Sequence, residues 1–307
     1  MQVSICDRNR LFSVWKLTPH RAILMTERGV FMKALKQKIE VFAKEAGMDV
    51  LGVAPKERFE GLEARRNPFT VFPEGETVIM LGKRVCRGSL RGVEEGSNFG
   101  DYACFGRNWL EDEFLALACY DLTRVLEDEG WEACPLFPNP TEAPAMGVGV
   151  TPGKEAPNVY PDFTYAAVAA GVVEVAYSGM VFSKEFGPRQ RFHMVITDAK
   201  LPATPLLEQS VCDRCMQCAD SCPYGAISKT EQNQVNIAGK VMTVGKLDEG
   251  KCRACKNGAL PNRLHAKGQP DRMAALCNRT CICHLEEERL IGNVFENPFR
   301  TSEPWVR

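Results

Sequence analysis

The chain has 307 residues, 45% of them hydrophobic and 25% charged, which is enough to bury a sizeable core and to divide into two domains. Its 38 Lys and Arg against 39 Asp and Glu give a formal net charge of −1, which excludes a global positive field of the kind that draws nucleic acid. No apolar run reaches the roughly 18 residues of a membrane span, and fourteen cysteines in a chain with an ordinary core are not the disulfide framework of a small secreted domain.

Taken in order, Arg8-Asn9-Arg10 loosely matches an export signal, but the residues after it, through Lys16, His20 and Arg21, do not form an apolar segment. Residues 1–31 therefore read as an N-terminal extension with a natural start at Met32, and the chain as cytoplasmic. From there Leu35, Ile39, Phe42, Ala43 and Ala46 recur at helical spacing, with Gly47 placed to cap the end. Short strands are expected at 49–55, 77–82 and 192–198. A long helix is expected over 109–129, with Leu110, Phe114, Leu117, Ala118, Leu122, Val125 and Leu126 on its buried face. The seven prolines of 135–161 mark a loop long enough to line a site, and the alanine-rich run Tyr165–Gly171 packs small residues where something must come close.

The chemistry lies further on. Nine of the fourteen cysteines fall between Cys212 and Cys283, starting with Cys212-x2-Cys215-x2-Cys218-x3-Cys222-Pro223. This is the ligand string of a bacterial-type [4Fe–4S] ferredoxin, in which the first three thiolates converge on one cubane and the fourth reaches a second. A zinc ribbon would want two separated pairs of ligands. Cys252-x2-Cys255 and Cys277-x3-Cys281 supply the elements of a second string, separated by 21 residues. The simplest mapping gives one cluster Cys212, Cys215, Cys218 and Cys281, and the other Cys222, Cys252, Cys255 and Cys277. A rival mapping puts Cys283 in place of Cys255 or Cys281. His284 reads as a surface or capping residue rather than a ligand.

The stretch from Ala170 to Phe192, including Tyr177-Ser178-Gly179-Met180 and Gly187-Pro188-Arg189-Gln190-Arg191, resembles the corrinoid-binding region of reductive dehalogenases, with the cysteine strings downstream at a similar interval. Asn98–Asn108 is more loosely similar to epoxyqueuosine reductases. The resemblance covers about 32–300. It implies an α+β fold: a mixed α/β sandwich akin to nitroreductase and cobalamin-processing folds over 32–205, then a ferredoxin-like domain with two [4Fe–4S] clusters over 206–307. It also implies a cobalamin held base-off, with contacts from Gly171, Tyr177, Ser178, Gly179 and Arg191.

The activity implied is an iron–sulfur oxidoreductase passing low-potential electrons to that cofactor to reduce a small substrate. Arg189 would stabilise the leaving anion, and Tyr160, Asp162 or Tyr165 would donate a proton. A Gly-Pro-Arg turn can equally present its arginine to a carboxylate, and tyrosines near strand ends are often core residues with a wet hydroxyl. The expected partner is a ferredoxin or flavodoxin as electron donor; the charge balance, and a chain stopping short of tRNA-handling repeats, speak against nucleic acid. Where the family has Ala-Gly-Leu-Gly, this chain has Ala170-Gly171-Val172-Val173, and the bulk of Val173 is expected to narrow a corrin pocket. The alternative function is a ferredoxin-like electron-transfer protein that binds no corrinoid and reduces a protein partner.

Overall fold

The computed structural model describes residues 25–307. Most of the expected extension, including Arg8-Asn9-Arg10, lies outside the described residues, and helix α1 (Met25–Glu45) already takes in its end. Met32, Leu35, Ile39 and Ala43 form the buried stripe of α1. At its C-terminus Gly47 adopts φ +67°, and the Met48 amide donates to the Ala43 carbonyl at 2.8 Å, closing the helix with a left-handed cap.

Strands β1 (Val50–Pro55), β2 (Thr77–Arg84), β3 (Ala133–Leu136) and β6 (Gln190–Thr197) form an antiparallel sheet in the order β1-β2-β6-β3. Side chains alternate between faces along a strand, and here both faces are covered. Val53, Ile79, Leu81 and Val195 pack against α1 and helix α2 (Ala116–Asp128). Ala54, Val78, Met80, Met194 and Ile196 pack against the opposite layer, which includes helix α3 (Phe163–Ala169). Burial on both faces is why Val78–Leu81 reads as an unbroken apolar run rather than an alternating one.

The helix leading into α2 differs from the expectation. Tyr102–Asn108 and Leu110–Leu115 wind in wide π-type turns before α2 begins. Each wide turn adds a residue and rotates the stripe, so Leu115 and Cys119 are buried while the expected core residues Phe114 and Leu117 are 45% and 62% exposed.

The alanines of α3 permit close packing: Ala166, Ala167, Ala169 and Ala170 are all fully buried. After α3, Gly171 turns the chain at φ +74°, and a Cβ there would lie 2.0 Å from the Pro205 carbonyl oxygen. The short pair β4 (Glu174–Val175) and β5 (Val181–Phe182) comes next.

Past residue 206, β7 (Ile227–Ile237) and β8 (Lys240–Leu247) form a long hairpin closed by Ala238 and Gly239, both at positive φ. Two positive-φ residues match the right-handed twist of the strands. Ile237, Met242 and Val244 of this hairpin join the core beneath α3, so the apolar core runs across the expected boundary at 205/206. Helix α4 (Leu276–Glu287) is buried from Leu276 through Leu285 and forms the centre of the cysteine-rich half. No helix among the described residues is long and apolar enough to cross a membrane.

Replacing Gly171 with alanine forces a Cβ into the Pro205 carbonyl and strains the backbone, at a cost on the order of 1–3 kcal/mol from the dihedral alone. Thermal unfolding of Gly171→Ala against the parent is expected to show a clearly lowered midpoint; an unchanged midpoint would contradict this packing.

Candidate functional site

The cysteine loop is shaped by its backbone. Arg214 and Met216 hold left-handed φ of 60° and 65°, turning the loop tightly between Cys212 and Cys218. The N–H of Tyr177 points at Cys212 Sγ at 3.5 Å, that of Ala226 at Cys222 Sγ at 3.3 Å, and that of Asn257 at Cys255 Sγ at 3.4 Å. Such donors favour sulfur as thiolate.

Two small cavities lie among these sulfurs, each of about 20 Å³. One is lined by Cys212, Cys215, Cys218 and Cys281 together with Tyr177, Phe182 and His284. The other is lined by Cys222, Cys252, Cys255 and Cys277 with Ile227, Leu247 and Arg272. One turn apart on α4, Cys277 and Cys281 serve different cavities. Cys283 lines neither; it packs with Val85, Leu90, Tyr102 and Phe299. His284 donates from Nε2 to Asp213 Oδ2 (2.7 Å) and accepts at Nδ1 from Gln217 Nε2 (3.2 Å), bracing the loop between Cys212 and Cys218.

Burial pushes the thiols of Cys212 and Cys252 above their ordinary value and that of Cys277 up to about 12. Cys281 is raised by its hydrogen bond with Cys218 and by burial, while Cys218 is lowered by the same bond. Sulfurs with this desolvation penalty become thiolates only beside a positive centre, and the four-sulfur lining of each cavity fits an iron–sulfur cubane.

Two open cavities adjoin. The larger, about 790 Å³, is lined by Arg58, Asp162, Thr164, Tyr165, Gly179 and the hairpin tip Val235–Gly239. The smaller, about 350 Å³, is lined by Arg107, Glu111, Arg191, Arg263, Asp271 and Arg272 and shares Thr164 and Gly179 with the larger. At this shared neck Gly179, at φ +77°, presents bare backbone. Together the two exceed the ~300–1,000 Å³ of an ordinary small-molecule site, and their mixed lining fits a large, amide-rich organic cofactor.

The predicted site residues scatter around this arrangement. Asp162 caps α3, accepting the Tyr165 amide at 2.9 Å, and the Tyr165 hydroxyl donates to the Arg58 carbonyl at 2.9 Å; both line the larger cavity. The Tyr160 amide bonds to the Arg65 carbonyl at 3.0 Å, and Tyr160 is not among the residues lining these cavities. Tyr177 and Ser178 wall the first cysteine cavity, and Gly179 sits at the neck. Gly171 is taken up by its close approach to Pro205. Val173 is fully buried in the main core rather than on a cavity wall, so its bulk does not narrow the space.

The two arginines of the Gly-Pro-Arg turn part company. Arg189 is fully buried and donates to the Val85 carbonyl (3.2 Å) and to Asn293 Oδ1 (2.8 Å), 3.7 Å from Glu286 and away from these cavities. Arg191 faces the smaller cavity, donating to Asp271 Oδ2 and to the Tyr102 hydroxyl, each at 2.7 Å. Burial opposes the charge of Arg191, but Asp271, Tyr102 and Glu111 outweigh it and raise its pKa. Burial holds the Tyr102 phenol well above its usual value, so it stays protonated.

Residues 206–228 match the family model of the 4Fe-4S binding domain. The chain carries that domain. A 72-residue segment, 22% of the chain, is 39% identical to tetrachloroethene reductive dehalogenases of Desulfitobacterium hafniense and Dehalobacter restrictus, and spans 13% of their length. This relates the chain to iron–sulfur oxidoreductases. Among solved structures, it is similar to a catabolic reductive dehalogenase in complex with 3-bromo-4-hydroxybenzoic acid (15% identity, 79% of this chain and 31% of that one, TM-score 0.49). It is also similar to an epoxyqueuosine reductase with a tRNA stem loop (16% identity, 79% and 70%, TM-score 0.45).

Beside the 4Fe-4S domain, three residues escaped the sequence reading: Tyr102, Asp271 and Arg272. The last two lie in the 21-residue spacer between cysteine pairs, which has no local pattern to announce them. Tyr102 falls within the stretch similar to epoxyqueuosine reductases, which was the available signal.

Behind the smaller cavity, His193 of β6 is buried between Phe137 and Phe163, and its Nε2 has no hydrogen-bond partner among the described residues. Burial, with Arg263 adding to it, lowers its pKa to about 4. The unfolded chain takes up this proton near pH 6.5 and the folded chain only near pH 4, so stability falls as pH drops through that window, by up to about 3 kcal/mol. Urea unfolding of His193→Phe and the parent should differ by a constant above pH 7 and diverge in the variant's favour towards pH 4; a pH-independent difference would contradict this.

Proposed function

We propose that this chain is an iron–sulfur oxidoreductase that passes low-potential electrons through two [4Fe–4S] clusters to a base-off cobalamin-type cofactor, for reduction of a small substrate. One observation carries the reading: of two cavities each lined by four cysteines, one borders the 176–180 segment directly and the other reaches it through Arg272, which donates to the Ser178 carbonyl, and both open cavities are lined by Gly179 of that segment. In this reading Cys212, Cys215, Cys218 and Cys281 hold one cluster, and Cys222, Cys252, Cys255 and Cys277 the other. Cys283 stays a core residue.

Thr164, Tyr165, Gly179 and the hairpin tip 235–239 would hold the corrinoid. When bound, that cofactor supplies a metal centre able to deliver reducing equivalents to a carbon–heteroatom bond. The chain's own residues orient and shield it. The hairpin tip covers the larger cavity and limits water. Asp162 and the Tyr165 hydroxyl can hold a proton at its wall. Arg191, rather than Arg189, lines the smaller cavity, where it would face an anionic product while held by Asp271 and Glu111. A ferredoxin or flavodoxin would deliver the electrons.

A second reading, an electron-transfer protein that reduces a protein partner without a corrinoid, is favoured by the withdrawal of Arg189 into the core and by the Arg58 guanidinium, which is spent on the carbonyls of Ala169 (2.6 Å) and Thr204 (2.8 Å). Anaerobically reconstituted protein separates the two. Incubated with cobalamin and passed over a sizing column, it is expected to retain about one corrinoid per chain with a base-off absorption spectrum. Protein that holds about eight irons per chain yet retains no corrinoid would overturn the first reading in favour of the second.

A further inference from the structure

Arg272 is the one arginine lining the smaller open cavity whose charge is not met by a carboxylate among the described residues. Arg107 and Arg191 pair with Asp271, Arg191 also with Glu111, and Arg263 with Glu111 and Asp112. Arg272 instead donates from Nη1 to the Ser178 carbonyl at 2.9 Å, and its Nη2 lies 3.4 Å from where a Cβ on Gly179 would sit. Its guanidinium lines the Cys222/Cys252/Cys255/Cys277 cavity and the open cavity at once. The nearest anionic partners it can have are sulfurs. Cys252 and Cys277 line the same cavity as Arg272, and its charge favours their thiolates and that of Cys218 in the other cavity. Asp271, next in sequence, is fixed by Arg191 and by a backbone bridge to Leu260, which holds Arg272 in place.

Reduction adds an electron to a cluster that is already anionic, so a fixed cation in the wall of its cavity stabilises the reduced form, and more so where that wall is of low dielectric. We infer that Arg272 is a positioning residue for electron transfer: its fixed charge raises the reduction potential of the cluster at Cys222, Cys252, Cys255 and Cys277 selectively, making that cluster the one that gathers electrons beside the Gly179 neck. The inference rests on the two-cluster reading above.

The test is a potentiometric titration of the anaerobically reconstituted full chain, followed by electron paramagnetic resonance, for the parent, Arg272→Gln and Arg272→Lys, with iron counted in each. About four irons in the parent defeats the two-cluster reading itself. With eight, Arg272→Gln is expected to lower the reduced-to-oxidised ratio of one cluster about tenfold at fixed poise, a shift of about 59 mV for a one-electron couple. The other cluster moves less, and Arg272→Lys restores most of the ratio. Unchanged potentials in Arg272→Gln, or an equal fall in Arg272→Lys, overturn the role of the charge. Should Arg272→Gln lose one cluster that Arg272→Lys keeps, the charge is again what matters. Loss in both variants assigns Arg272 to structure alone and overturns the inference.

Discussion

Sulfur anions are costly to bury, and this cost organises the cysteine-rich half of the molecule. Two groups of four cysteines sit in cavities walled by Tyr177, Phe182, Ile227, Leu247 and the buried helix α4. The desolvation that raises Cys212, Cys252 and Cys277 has to be met from somewhere. Part is met by the backbone N–H groups of Tyr177, Ala226 and Asn257, and part by the guanidinium of Arg272. The remainder is what the proposed metal centres would supply.

The same constraint explains how the halves of the chain are joined. The β7–β8 hairpin lies between Cys222 and Cys252, and its apolar side enters the core under α3. Thus the element that links the two cysteine strings also lines the larger open cavity. The 176–180 segment is shared in a similar way: its Tyr177 amide faces a cysteine sulfur, while its Gly179 backbone faces open space. Arg272 joins the two sides, lining the Cys222, Cys252, Cys255 and Cys277 cavity and the smaller open cavity while donating to the Ser178 carbonyl.

Much of this was legible in the sequence. Period-3.6 spacing located α1, apolar runs located β1, β2 and β6, and the cysteine spacing sorted the sulfurs into the same two groups of four that line the two cavities. What failed did so for physical reasons. The π-type turns before α2 rotated its face, which spacing arithmetic at 3.6 residues per turn cannot anticipate. The hairpin was missed because its turn, Ala238-Gly239, lacks the asparagine or aspartate that usually announces positive φ. Arg189 and Arg191 are neighbours on one turn and indistinguishable by motif. Arg189 lies before the first residue of β6 and is tied to Val85 and Asn293 in the core, whereas Arg191 lies within β6 and meets Asp271 and Tyr102 at a cavity. Arg272 gains its position from tertiary contacts with Ser178, 94 residues away, which no local pattern encodes.

The most direct measurement of the cluster assignment is anomalous diffraction from crystals of the anaerobically reconstituted protein, recorded on both sides of the iron edge. Two compact iron peaks are expected, one within ligand distance of Cys212, Cys215, Cys218 and Cys281 and the other of Cys222, Cys252, Cys255 and Cys277, with none at Cys283. A single peak, a zinc signal in either cavity, or iron bound by Cys283 would contradict it.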